Sequence, residues 1–323
     1  MNYEEFLAYV KSELKSYLDR EGSDCAVNVR KVLKNNGIEL DALTIVNVEC
    51  KTSPTVYLNR YYDEYLNGRE EKEIISEILE LFRKNYGKVS FDISEFADFS
   101  KIKDRIAYKV ISIKKNKRLL NKVPHIKKMD LALVFYCIIK CNKNENATTI
   151  IYNQHLDMWG VGLDEIYKAA MENTPKILPY EIKSMSDIIK EMLEDGSDYD
   201  EVHEDGCYGD EELDILADKL MEELTCESIE PQMFVLTNVF RLNGAATMFY
   251  DGVLKKFAKE WQSDLIILPS SIHEVILIPM EEGMKISDFK SMINEVNDEE
   301  VDPAEVLSNH AYIYIREADE ITF

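Results

Sequence analysis

The sequence predicts an α+β protein: an N-terminal helix and antiparallel-sheet region, an acidic loop, and a C-terminal β-β-α-β-β unit. Three observations carry this expectation. Phe6, Val10, Leu14 and Leu18 recur at every fourth position, which marks one apolar helix face. The β-branched and aromatic run 131–141 and the run 148–152 flank a polar turn, as a hairpin requires. After Met233, short strand-like runs at 233–237, 244–250, 264–268 and 274–279 surround a helix-like segment at 252–261.

Taken in order, the first helix covers 3–18 and Gly22-Ser23 ends it. Alternating runs at 25–32 and 43–48 are strands, separated by the turn signal Asn35-Asn36-Gly37. A third strand follows Pro54 at 55–58. Helices are predicted at 61–66 and 70–84, with Ile74, Ile78 and either Leu81 or Phe82 facing inward. The stripe Ile102, Ile106, Val110 and Ile113 predicts helix across 92–120, ended by Pro124. A turn at 153–160, a helix at 163–172, a helix at 210–224, a helix at 286–296 and a strand at 311–316 complete the chain.

At 323 residues the chain has room for more than one core. Composition divides it into 1–190, an acidic loop and helix at 191–228, and 229–323. A hydrophobic share of 46% excludes a disordered chain. No apolar run approaches the ~20 residues of a membrane span. The N-terminus is acidic and lacks an apolar signal core. Six cysteines without a CxxC pair fit buried, reduced thiols, so a cytoplasmic protein free of disulfides is expected.

Charge is segregated. Residues 191–230 hold 17 acidic side chains and one basic, whereas 101–128 hold 11 basic and one acidic, within a net charge of −23. So acidic a chain is repelled by nucleic acid and anionic membrane unless the basic stretch forms an isolated patch. The acidic loop 194–212 could instead screen that stretch.

Four segments, Thr52–Leu58, Val123–Ala132, Asn153–Gly160 and Leu268–Leu277, occur in this order. Together they make the chain resemble an uncharacterised family of anaerobic gut Clostridia, catalogued as domain of unknown function 5688. The last two segments are also similar, more weakly, to YtpQ-like uncharacterised proteins of Bacilli. These resemblances imply no activity, cofactor or catalytic residue.

Pro269-Ser270-Ser271-Ile272-His273-Glu274 is the one place where hydroxyl, imidazole and carboxylate fall within six residues. In an extended strand His273 and Glu274 face opposite sides, and no Gly-x-Ser-x-Gly elbow presents a serine. A hairpin turn is therefore expected. Asn153 is expected to cap the turn after it, with Trp159 packed beneath. Histidines 125, 155, 203, 273 and 310 show no metal-ligand spacing, and the acidic 198–205 stretch lacks the order of a calcium loop. The twelve glycines form no phosphate-binding pattern, and Gly244-Ala245-Ala246 are expected in a sheet where a helix comes close.

The expectation is a binding protein with segregated acidic (191–230) and basic (101–128) surfaces. Its partner is another protein, with no membrane, nucleic acid disfavoured, no metal and no cofactor. The binding candidates are Lys114, Lys115, Lys117, Arg118, Lys127, Lys128, Asn153 and Trp159. The rival is a hydrolase-like site assembled from His155, Ser271 and His273, with Glu274 as its acid. The sequence leaves the oligomeric state open.

Overall fold

A computed structural model describes residues 1–47, 55–85, 93–141, 146–196 and 232–323. The chain divides into two compact units, Met1–Ile102 and Lys103–Phe323. Most of the expected boundary region 191–228 lies outside the described residues, as do the 198–205 stretch, His203 and the 210–224 helix. The fold is α+β, and its sheets are antiparallel.

In the first unit α1 (Tyr3–Arg20) starts at a capping box: Asn2 Oδ1 accepts from Glu5 N–H at 2.9 Å, and the Glu5 carboxylate accepts from Asn2 N–H. Phe6, Val10, Leu14 and Leu18 are buried, as the four-residue spacing predicts. Strands β1 (Cys25–Leu33) and β2 (Glu39–Asn47) form a hairpin in register Cys25↔Asn47 to Leu33↔Glu39. Asn36 and Gly37 make its turn at φ 59 and 76, the left-handed region open to Asn and Gly. β3 (Thr55–Tyr57) pairs with β2, and α2 (Leu58–Leu66) and α3 (Glu71–Asn85) follow. Ile74, Ile78 and Phe82 join α1 in one core, so Phe82 rather than Leu81 is the fully buried choice. Burying each such side chain contributes about 1.5–3 kcal/mol. Arg69 spans the Glu64 and Glu77 carboxylates, and Tyr61 donates to Glu77 at 2.8 Å. Burial, then the Glu77 hydrogen bond, pushes the Tyr61 phenol up to about 12.

The expected long helix at 92–120 is not formed. Two short turns, α4 (Ile93–Phe96) and α5 (Phe99–Ile102), precede strand β4 (Ile106–Ser112) in the second unit; the one-turn helix α6 (Lys117–Leu120) comes after it. Six of the seven β4 residues are buried. A strand covered on both faces loses its two-residue alternation, and its apolar positions can then mimic a helical stripe.

The spine of the second unit is β6 (Leu131–Cys141), whose first eight residues are buried. β4 lies along one side of it; β5 (His125–Lys128) and β7 (Asn146–Ile150) lie end to end along the other. The β6–β7 pairing is the predicted hairpin. Cys25, Cys137 and Cys141 carry free thiols, and burial raises Cys137 to about 11, an inert setting. α7 (Asn153–Trp159) and α8 (Leu163–Ile177) come next. Thr174 on α8 donates to Ala170 O at 2.5 Å and accepts from Tyr108 N–H on β4 at 3.2 Å.

A second sheet has the strand order β13-β12-β10-β11-β9-β8. It comprises β8 (Tyr180–Ser184), β9 (Phe234–Asn238), β10 (Leu265–Pro269), β11 (Val275–Pro279), β12 (Tyr312–Ile315) and β13 (Glu320–Thr322). Helices α9 (Met185–Gly196), α10 (Val253–Trp261) and α11 (Lys290–Glu299) complete the described unit. Strands β8 and β13 are short and lie at sheet edges, where one side lacks a partner among the described residues and burial is incomplete. Helix α9 does carry a helical stripe, Met185, Ile188, Ile189, Met192 and Leu193, that the sequence offered as a signal.

The expected strand at 244–250 is a 3-10 turn, Gly244–Phe249. Gly244 is indeed a point of close approach, but the neighbours are Thr237 and the His273 carbonyl rather than a helix.

Candidate binding surface

Backbone turns set out the basic stretch. Asn116, buried, donates its side-chain amide to Ser112 O at 2.9 Å and turns the chain into α6. Leu120 and Val123 then pack on Ile111, Ala132 and Val134, with Leu119 and Tyr152 against the same cluster. With the apolar residues spent on that contact, Lys114, Lys115, Lys117, Arg118 and Lys122 are exposed. β5 continues the display with Lys127 and Lys128, exposed at the positions paired with Ala132 and Leu131. The cations thus sit on a turn, a one-turn helix and a strand, not along one helix. Among the described residues, Lys114, Lys117, Lys122, Lys127 and Lys128 make no ion pair. Partial burial lowers the Lys115 pKa, and the nearby Asp298 charge only partly offsets this.

Asn153 N–H donates to Lys122 O at 2.9 Å, so the start of α7 is anchored to the basic connection. This brings Asn153, and the helix that carries Trp159, to the lysine-bearing loop. Met158, 50% exposed, adds an apolar contact on the same helix. The cap expected from Asn153 comes instead from His155, whose Nδ1 accepts from Tyr152 N–H at 3.1 Å. Its ring lies 5.6 Å from both the Tyr152 and Trp159 rings.

Burial lowers the His155 pKa. A neutral imidazole is needed to accept the Tyr152 N–H, so protonation removes the cap. The unfolded chain then binds the proton more readily than the folded one. The stability contribution is full above the unfolded value of about 6.5 and is lost as pH falls through it toward the lower folded value. Wild-type stability is expected to fall more steeply than that of His155→Gln between about pH 7 and 5. Parallel denaturant titrations across that window check this; superimposable slopes would contradict it.

The 269–274 hinge joins β10 and β11 as a hairpin closed at Pro269↔Val275. Ser271–Glu274 lie in the connection, so strand alternation does not govern them. Ser271 Oγ accepts from the backbone N–H of His273 at 3.0 Å, which shapes the turn. The His273 ring looks elsewhere: Nδ1 lies 3.0 Å from the Arg241 carbonyl oxygen and 3.3 Å from Asn243 N, and Nε2 lies 3.4 Å from the Glu305 carboxylate. The carboxylate beside His273 is therefore Glu305, not Glu274. His155 and His273 are each held by the local partners described.

A polar cluster absent from the sequence-based candidates surrounds Asp130. Its Oδ1 accepts from Tyr312 Oη at 2.8 Å, and its Oδ2 from Ser308 Oγ at 2.7 Å and His310 Nδ1 at 3.1 Å. Asp130 closes the turn between β5 and β6, where Met129 adopts φ 56. The spacing Ser308-x-His310-x-Tyr312 was a usable signal, because alternate residues of an extended chain share a face. Among the described residues, no group of three or more His, Cys, Asp or Glu side chains is placed to hold a metal ion.

A family model described as a family of unknown function (DUF5688) matches residues 3–316. The chain belongs to the DUF5688 family. That match runs through both compact units and includes the basic connection, α7, the hinge and the Asp130 cluster. No curated protein and no solved structure matches the chain. Among the described residues of this DUF5688 protein, no helix is long and apolar enough to cross a membrane.

Proposed function

We propose that the chain is a non-catalytic binding protein whose basic surface takes up an acidic segment of another protein. The observation that carries this is the display of exposed lysines at 114, 117, 122, 127 and 128, without ion-pair partners among the described residues, on a loop backed by an apolar cluster. Holding the backbone in place lowers the ordering cost of each contact. Trp159 and Met158 on α7 offer apolar contact to the same segment. An acidic peptide suits this surface better than a duplex, because the net charge of −23 repels a long polyanion beyond the patch. Intracellular residence and the finer kinship with gut Clostridia belong to the same proposal.

Charge reversal at Lys117, Lys122 and Lys127 together is expected to weaken binding to a polyglutamate peptide by at least about tenfold at low salt. Wild-type binding should itself fall as ionic strength rises. Fluorescence anisotropy with a labelled peptide reads both. Equal affinity of wild type and variant would overturn the proposal, and tighter binding to duplex DNA than to polyglutamate would reassign the surface to nucleic acid.

A further inference from the structure

A cavity of about 370 Å³ lies in the second unit, separate from α7 and from most of the basic connection. Its size falls at the lower end of small-molecule sites, about 300–1,000 Å³. One wall is the β5–β6 turn, with Lys128 and Met129; a second is the run from Met248 into α10; the third is formed by β12, β13 and the turn between them.

The lining chemistry selects a ligand. Lys255 is already neutralised: its Nζ lies 2.8 Å from Asp319, which also accepts from Tyr314 Oη at 2.6 Å. Beyond that ion pair the wall carries two carboxylates, Glu320 and Asp251, the latter also acting on Lys255 through its charge, and one ammonium, Lys128. The remaining lining includes an apolar portion, Met129, Met248, Leu254 and Ile321, beside Tyr250 and Tyr314. An anion would meet the two carboxylates, and a simple cation would meet Lys128. A molecule with an ammonium, a carboxylate and an apolar body satisfies all three features.

We infer that this cavity is a binding site for a small zwitterion of the amino-acid class with an apolar side chain. The ammonium faces Asp251 and Glu320, the carboxylate faces Lys128, and the side chain lies on the methionine and aliphatic wall. Asp130 supports the site from behind, because its bonds to Ser308, His310 and Tyr312 hold the turn that carries Lys128 and Met129. The inference does not depend on the basic surface binding a protein.

Isothermal titration calorimetry with L-phenylalanine tests it, with phenethylamine and N-acetyl-L-phenylalanine as probes lacking one charge each. Saturable binding of phenylalanine is expected, with both comparators at least about tenfold weaker. Lys128→Met should weaken phenylalanine by a similar factor while sparing phenethylamine, and Ile321→Trp should abolish binding by filling the cavity. Urea denaturation reports that Ile321→Trp is folded, and its polyglutamate affinity separates this site from the basic surface. No saturation by phenylalanine up to about 10 mM would overturn the inference. So would unchanged binding by both variants, or equal affinity for all three probes.

Discussion

Replacing Gly244 by alanine is expected to cost about 3 kcal/mol, near the upper end of typical overpacking penalties. A Cβ at this position would lie 2.2 Å from Thr237 Oγ1, 2.3 Å from the His273 carbonyl oxygen and 3.0 Å from Asn238 N. None of these atoms is the end of a flexible side chain. Thr237 Oγ1 donates to that same carbonyl at 2.8 Å, so the methyl group would enter an existing hydrogen bond. Breaking it adds roughly 1 kcal/mol to the steric cost. The neighbouring backbone has little freedom to retreat. Ala245 N–H donates to Ile272 O at 3.3 Å, and Asn238 Oδ1 accepts from Phe240 and Leu242 N–H at 3.1 and 3.2 Å. Urea denaturation of Gly244→Ala beside Gly162→Ser checks the reasoning. Gly162 has ordinary φ and open space around its Cβ position, so its variant should be near neutral. Similar midpoints for the two variants would refute the close-approach account.

Asp130→Ala should lose a comparable amount, about 3 kcal/mol, by a different route. Hydrogen bonds to a charged group contribute about 1.5–3 kcal/mol each, and the larger values belong to buried partners. Tyr312 is fully buried and would keep a hydroxyl with its carboxylate acceptor removed. His310, 60% exposed, can turn to water and should contribute little. Tyr312→Phe is therefore expected to cost about 1–2 kcal/mol and His310→Gln less than about 0.5. In a double-mutant cycle, Asp130→Ala and Tyr312→Phe should be non-additive by at least about 1 kcal/mol. Simple additivity would show that the carboxylate and phenol do not act as a pair.

The half-buried elements were legible by their period, and the buried strands β6, β10 and β11 by continuous apolar runs set between turn signals. α1 and the β1–β2 hairpin each present one face to a core and one to water, so periodicity and the Asn35-Asn36-Gly37 turn located them. β4 is covered on both faces, and its apolar residues then carried no alternation to set against the helical reading. The 244–249 segment failed for another reason. Small residues permit both a strand and a tight 3-10 turn, and the choice was made by Thr237 and His273 in space. The basic stretch was visible as charge, but its attachment to α7 through Lys122 O is a backbone bond that no side-chain pattern encodes. Glu305 beside His273 and the three donors around Asp130 were hidden by sequence distance.

That distance has a consequence for how the protein is made. Asp130 and Tyr312 are 182 positions apart, yet the turn carrying Lys127 and Lys128 is secured by residues 308–312. During synthesis the β5–β6 turn leaves the ribosome long before its anchor exists, and long-range closures of this kind form late. The turn therefore reaches its final setting only when nearly the whole chain has been made. A product that stops short of residue 308 would carry the lysines without the anchor that positions them.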